Sequence, residues 1–454
     1  MKQWLMRAAT AALLAAPLAD AARAETLADA MAHGYEHSGL LEQNRALLRA
    51  ADEDVAQANA TLLPVVNWSA SASSTFDTFG GLQDLVSANL QLSSQLTVYD
   101  GGAGRLAIAA QKENVLATRA SLINVEQQVL QGVVEAYLNL RLAQEFVSMR
   151  ENNVRLITRE LRAAEDRFEV GEITRTDVSL AEAQLAAARS ALAAEQGGLV
   201  RAVYEFQVAV GREPGTLQWP GPAPINRTLA EAKAWALRNH PSIIQAQHAV
   251  AAAELNIERA QAALGPNVSV SAGVGIDQDS NVGRNFSLSL SGPVYQGGRL
   301  SSQIRQFMSR RDASRAQLLL TAQQVEQAVG NAWSFLEVAR SSAVAYERQV
   351  DAASVAFDGV REEASLGSRT TLDVLNAEQE LLDARTNLIS AQVDETIASY
   401  AVLAAMGLLT AQSLGLHVQI YDPSAYYNLV QDSPTRTSEQ GQALERVLEA
   451  IGQN

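Results

Sequence analysis

The five residues His33-Gly-Tyr-Glu36-His37 carry a pattern with the spacing of a metal hydrolase. Two imidazoles four residues apart share one side of a helix and can grip zinc, while the glutamate beside them supplies a base. A zinc site also needs a third protein ligand, and no motif elsewhere in the chain offers one; His240, His248 and His417 are isolated and read as structural or solvent-facing. No phosphate-binding loop, nucleophile elbow or dinucleotide fingerprint occurs, and the glycines of YDGGAGR suit a turn between elements better than a phosphate cradle. The complete absence of cysteine removes thiolate zinc sites, cysteine nucleophiles and disulfides. We therefore expect no catalytic residue, no bound metal and no cofactor. Thirty-five Lys and Arg against fifty Asp and Glu give a formal charge of −15, which argues against a nucleic-acid partner. What remains is a question of architecture.

Composition points to long helices: 47% of residues are hydrophobic but only 5% aromatic, so apolar content rests on Ala, Leu and Val. The first 24 residues read as a secretory signal, with Lys2 and Arg7 ahead of an apolar stretch and Ala22-Arg23-Ala24 as a cleavage pattern. That stretch is about 12 residues and contains Pro17, too short for the roughly 20 needed to span a membrane as a helix. A mature chain beginning at Glu25 has lost Lys2, Arg7, Arg23 and Asp20 and carries −17. No later segment has the length of a membrane helix, so any crossing must be made by strands.

The chain is written twice. Thr26 and the LADA after it match Thr228 and LAEA, and ATLLPVVNWSAS (60–71) matches AALGPNVSVSAG (262–273), both 202 residues apart. VYDGG (98–102) then matches VYQGG (294–298), and VGEITRTDVSLAEAQL (170–185) matches LGSRTTLDVLNAEQEL (366–381), at an offset of 196. The change of offset falls within 72–97 and reads as a loop indel. We place the first repeat at 25–217, a linker at 218–227, the second repeat at 228–411, and a final segment with a polar tail and one short helix at 412–454. The second copy has Trp235, Arg238 and Asn239 where the first has the histidine pattern, so that pattern is not part of the shared design.

Each copy reads helix, two strands, long helix, turn, helix. Residues 27–61 are expected as one helix. Strict alternation predicts strands at about 65–76 and 86–98, then 267–276 and 285–294, with apolar residues on one face and uncharged Ser, Asn, Thr and Gln on the other. A half-buried soluble sheet alternates too, but about ten residues with a neutral polar face is also what a tilted strand needs to cross an outer membrane. Four strands cannot close a barrel, and open edges in lipid leave backbone groups unpaired, so several chains must assemble. Tyr99, Gly101 and Gly102, and Tyr295, Gly297 and Gly298, mark corners from strand to helix.

Long helices are expected over about 103–168 and 299–364, each roughly 100 Å at 1.5 Å per residue, with shorter ones over 175–211 and 370–407. A seven-residue seam runs from Val129, Val133, Ala136 and Leu140 to Phe168, and again from Val325, Val329, Ala332 and Leu336 to Ala364. Such a seam also fits a closed coiled-coil rod. Helical rods continuing a hollow barrel make a tube instead.

With its signal, tandem plan, YDGG and YQGG joins, and the turns RFEVGEITRTDV and ASLGSRTTLDVLNAEQELL, the chain resembles the TolC family of outer-membrane channel proteins. The stretch LGLHVQIYDPSAYYNLV (414–430) resembles members serving type I secretion. The resemblance implies a mixed, mostly helical fold: a homotrimer whose 12-stranded transmembrane barrel sits in outer-membrane lipid and continues as a periplasmic helical barrel. It further implies a passive duct for toxic compounds or unfolded proteins, working with a periplasmic adaptor and an inner-membrane ABC or proton-driven transporter. The family's periplasmic constriction maps onto Arg369, Asp373 and Asp177, with Asn376 replacing an aspartate and Ala364 a tyrosine. Gly171, Thr174, Gly367 and Thr370 map onto the helix tips and adaptor docking; simple helix capping would explain the same residues. The contrasting reading is an exported coiled-coil structural protein or zinc hydrolase without a pore.

Overall fold

A computed structural model describes residues 24–75 and 85–452. The expected signal therefore lies almost wholly outside the described residues, as do residues 76–84 of the stretch assigned the indel. The elements are α1 (Leu27–His37), α2 (Gly39–Ala60), β1 (Val65–Thr75), β2 (Leu85–Tyr99), α3 (Ala103–Glu169), α4 (Arg175–Val210), α5 (Leu229–Asn239), α6 (Pro241–Ala262), β3 (Asn267–Asp277), β4 (Val282–Ser291), α7 (Arg299–Ser365), α8 (Thr371–Ala405), α9 (Pro423–Val430) and α10 (Glu439–Gly452). They fall into two compact units, one holding residues to Leu41, Val125–His240 and Val325–Ile420, the other Glu42–Asn124, Pro241–Gln324 and from Tyr421 on. No described helix is long and apolar enough to cross a membrane.

Three expectations are corrected. The helix expected over 27–61 is interrupted at Ser38, whose backbone is extended (φ −70°, ψ 111°). The last strand, expected over 285–294, runs from Val282 to Ser291: Gly292 and Pro293 follow, and proline has no N–H to give the ladder. Residues from 431, expected as a mobile polar tail with one short helix, do hold that helix as α10 but are tied to α2. Asn59 Nδ2 donates to the Gln431 carbonyl at 2.5 Å and Ser433 Oγ to that of Ala56 at 2.5 Å, while Leu444 of α10 packs on Ala56, Tyr426 and Val430.

In the second unit the four strands form one antiparallel sheet in chain order. Register sets like against like. Trp68 faces Leu92, Leu92 faces Val274, and Ala272 faces Phe286 on one face; Ser73 and Ser87, and Ser271 and Ser287, join hydroxyls at 2.7 Å on the other. A one-residue slip would exchange the faces. The apolar face is bare: Trp68 and Phe286 are each 75% exposed. β1 and β4 are the two outer strands of the sheet.

In the same unit Leu48, Val55, Ile108 and Val115 form a core with Tyr421 and Tyr427 against it. Asp52 is fully buried beside it, both carboxylate oxygens lack a hydrogen-bond partner, and Arg119 is 3.9 Å away. Burial pushes its carboxyl up to about 6, more than Arg119 pulls it down, and Glu53 adds to the rise. The folded unit thus binds the proton more tightly than an unfolded chain titrating near 3.8, and stability falls as pH rises from about 4 to 6. Asp52→Asn is expected to raise stability at pH 7 by about 1–3 kcal/mol and to flatten that dependence. Thermal melts at pH 4.5 and 7 that keep the wild-type difference in the variant would refute this.

In the first unit the seam is visible in the burial: all six buried residues of α7 (Val325, Val329, Leu336, Ala339, Phe357 and Ala364) lie on it. Tyr137 and Phe206, both fully buried, join α3 to α4 with ring centroids 6.3 Å apart. The Tyr137 hydroxyl lies 2.7 Å from the carbonyls of both Glu25 and Gln218, where a short parallel bridge pairs Glu25 with Leu217.

Candidate functional site: the helix tips

The first unit ends in two turns built to one plan. Gly171 (φ +82°) follows α3 and Gly367 (φ +81°) follows α7, the left-handed conformation in which a Cβ would be strained. Each turn closes its helix with reversed hydrogen bonds: the Glu172 N–H to the Arg167 carbonyl at 2.9 Å, and the Ser368 N–H to that of Glu363 at 3.0 Å. Three residues past each glycine a threonine starts the next helix. Thr174 and Thr370 cap α4 and α8, and Asp177 and Asp373 complete the capping boxes, each Oδ2 accepting from its threonine N–H at 2.9 Å and hydroxyl at 2.8 Å. Those donors, backbone N–H first, hold both carboxyls below the usual aspartate range.

The structure thus places each aspartate in its own helix cap. Arg369 Nε donates to Glu363 Oε2 at 2.8 Å, and Glu363, ahead of the more distant Asp373, holds the guanidinium pKa up. Glu363 was not singled out from the sequence, although Arg369 follows it by six residues across the turn. Asn376 is exposed on α8, and Ala364 is buried with Phe357, Val374 and Leu381. Within one chain Arg369 is paired with Glu363, and Asp373 and Asp177 are engaged by Thr370 and Thr174.

At the corners, Gly101 and Gly102 (φ +68° and +89°) and Gly297 and Gly298 (φ +58° and +83°) turn the chain from strand or loop into α3 and α7. Tyr99 ends β2, and Tyr295, 86% exposed, lies beyond β4. Asp100, which the sequence reading passed over, caps α3: its oxygens accept from the N–H groups of Gly102 and Gly104 at 2.9 and 2.6 Å. Gln296 stands at the matching place in the second copy.

The histidine pattern does not form a metal grip. The His33 and His37 rings stack face to face, 3.8 Å apart and 6° from parallel. Nδ1 of His33 lies 2.7 Å from the Val210 carbonyl and Nδ1 of His37 3.0 Å from that of His33. A carbonyl only accepts, so both Nδ1 atoms carry hydrogen. With the rings stacked and each Nδ1 turned to a backbone carbonyl, the two imidazoles are not arranged around a common point.

Known proteins agree with this construction. The family model described as outer membrane efflux protein matches residues 35–212 and 235–408, one segment in each repeat. The chain is 36% identical over 423 residues to the outer membrane efflux protein BepC of Brucella suis, covering 91% of this chain and 92% of that one. It is 27% identical over 394 residues to the outer membrane protein TolC of Escherichia coli, covering 80% and 78%. In fold it is similar to the outer membrane protein VceC of Vibrio cholerae, with a TM-score of 0.72 at 21% identity, over 84% of this chain and 96% of that one. With segments of both halves matched, the chain belongs to the family of outer membrane efflux proteins: channels of the outer membrane, not enzymes.

Proposed function

We propose that the protein works as a homotrimeric exit duct, open to the outside through a twelve-stranded barrel and narrowed at the helix tips. The observation that carries this reading is the four-stranded sheet, with β1 and β4 outermost and one apolar face bare. In hydrocarbon an edge must be paired, because each unsatisfied backbone group costs several kcal/mol. The β4 edge of one copy against the β1 edge of the next removes every edge at once, and three copies give a ring of the size that leaves an interior passage. Conduction is passive; energy and selection come from a periplasmic adaptor and an inner-membrane transporter, of the ABC or proton-driven kind, docked at Gly171, Thr174, Gly367 and Thr370.

Arg369, Asp373, Asp177 and Asn376 narrow the mouth. The Arg369–Glu363 ion pair is solvent-exposed and therefore weak, which suits a constriction that has to open. In planar bilayers the purified protein is expected to show discrete conductance steps, and Arg369→Ala or Asp373→Ala to raise the conductance several-fold. Protein that inserts but never conducts, in any of these forms, speaks for the pore-free coiled-coil reading; steps unchanged by both substitutions remove the constriction from these residues.

A further inference from the structure

Glu378 interrupts an apolar stripe. It lies on α8 between Val374 and Leu381, both buried, and is itself only 7% exposed. Oε1 accepts a hydrogen bond from Asn153 Nδ2 of α3 at 2.7 Å, and Asn153 is just as buried. Oε2 is enclosed without a hydrogen-bond partner. The carboxylate borders a cavity of about 470 Å³ whose apolar wall includes Leu156 of α3, Phe357 of α7 and Leu381 of α8. Charges around it are Arg155 and Arg159 of α3, Asp358 of α7 and Arg385 of α8, all exposed and so screened by water. Glu160 of α3 adds a like charge. From α4 the neighbouring cluster receives only Ala181, Leu185 and Ala188. The corresponding residue of the first copy, Glu182, is exposed, so the buried acid belongs to the second hairpin alone.

An ionised carboxylate in this seam has one donor where it needs several, whereas a neutral acid is satisfied by far less. Burial outweighs the Asn153 bond and, with Glu160, pushes the carboxyl from 4.5 up to about 7. We propose that Glu378 is a proton-operated latch in the seam between the α3–α4 and α7–α8 hairpins. With the proton on, α8 packs against α3; with it off, an arrangement that lets water reach the carboxylate is favoured. The packed seam holds its proton more tightly than the hydrated one, so packing is complete below about pH 4.5 and weakens as pH rises toward 7. The effect on conduction rests on the duct reading; the effect on the seam does not.

Amide hydrogen exchange of the full-length protein in detergent tests the seam directly. After correction for intrinsic chemical rates, segments 150–160 and 371–385 are expected to open at least about tenfold more readily at pH 8 than at pH 5.5. Glu378→Gln, which keeps the bond to Asn153 without the charge, is expected to be protected at both pH values. Asn153→Ala removes the group that favours the ionised form and is expected to move the midpoint to higher pH. Wild-type exchange that is equal at the two pH values, a Gln variant that keeps the difference, or an unmoved midpoint in Asn153→Ala overturns the latch. In bilayers the wild-type open probability is expected to rise from pH 5.5 to 8. Pores with pH-independent exchange refute the latch and leave the duct, whereas pH-dependent exchange without pores refutes the duct and leaves the latch.

Discussion

Leu288→Arg is expected to abolish outer-membrane assembly, while Ser289→Arg, one residue on, leaves it intact. Leu288 faces Val270 on the apolar side of the sheet and is 66% exposed in the single chain, whereas Ser289 faces Ser269 on the polar side. An arginine on the lipid face of a barrel costs about 2–4 kcal/mol at the bilayer midplane, and one in the lumen far less. A ring of three copies meets the penalty three times. The measurement is the fraction of protein recovered as trimer from outer membranes. Equal recovery of the two variants would mean that the face bearing Trp68, Leu288 and Phe286 does not meet lipid, and the barrel would fall with it.

The second large effect belongs to the helical unit. Tyr137→Ala is expected to destabilise it by about 3–5 kcal/mol, the usual cost of removing a buried aromatic ring. The ring fills the junction of α3 with Phe206, and its hydroxyl gathers the carbonyls of Glu25 and Gln218, so one residue ties the start of the first repeat to its end. Burial pushes the phenol up to about 12, which keeps it a neutral donor across any working pH. Tyr137→Phe keeps the ring and is expected to lose only about 0.5–1.5 kcal/mol. Chemical denaturation followed by circular dichroism separates the two. If Ala and Phe are equally destabilising, the hydroxyl and not the ring dominates.

These outcomes bear on Glu378 as well. A seam that loosens with rising pH must do so inside a unit that stays folded, and the Tyr137 junction lies away from the α3–α7–α8 cavity. Denaturation midpoints and local exchange should therefore respond to different substitutions. Distant sites with no shared partners are ordinarily independent in this way.

How much of this was legible beforehand depends on the range of the interaction. The alternation of β2, the four-three seam of α7 and the glycine–threonine–aspartate tips are written in neighbouring residues, because side-chain direction follows the period of the local backbone. The resemblance to the family rested on those tips together with the YDGG and YQGG joins and the tandem plan, and the matches to known proteins show the membership. The break at Ser38 was not legible, since a serine within a helical stretch can sit inside it or cap its end. Asp100 and Gln296 occupy equivalent corners, yet Asp100 caps its helix through two N–H groups, a difference that emerges only once the turn is formed.

Glu182 and Glu378 give the sharpest division. They stand at matching places in the two repeats, in SLAEAQL and LNAEQEL, which share the Ala-Glu pair and the closing Leu. One is exposed and the other enclosed beside Asn153. The doubled plan, the strands with one apolar face and the long seamed helices are readable from the amino-acid order, because periodicity and composition act locally. Tertiary structure alone decided which carboxylates lose their water, which arginine meets which glutamate and how two histidine rings lie. Desolvation and pairing depend on what a distant part of the chain brings alongside.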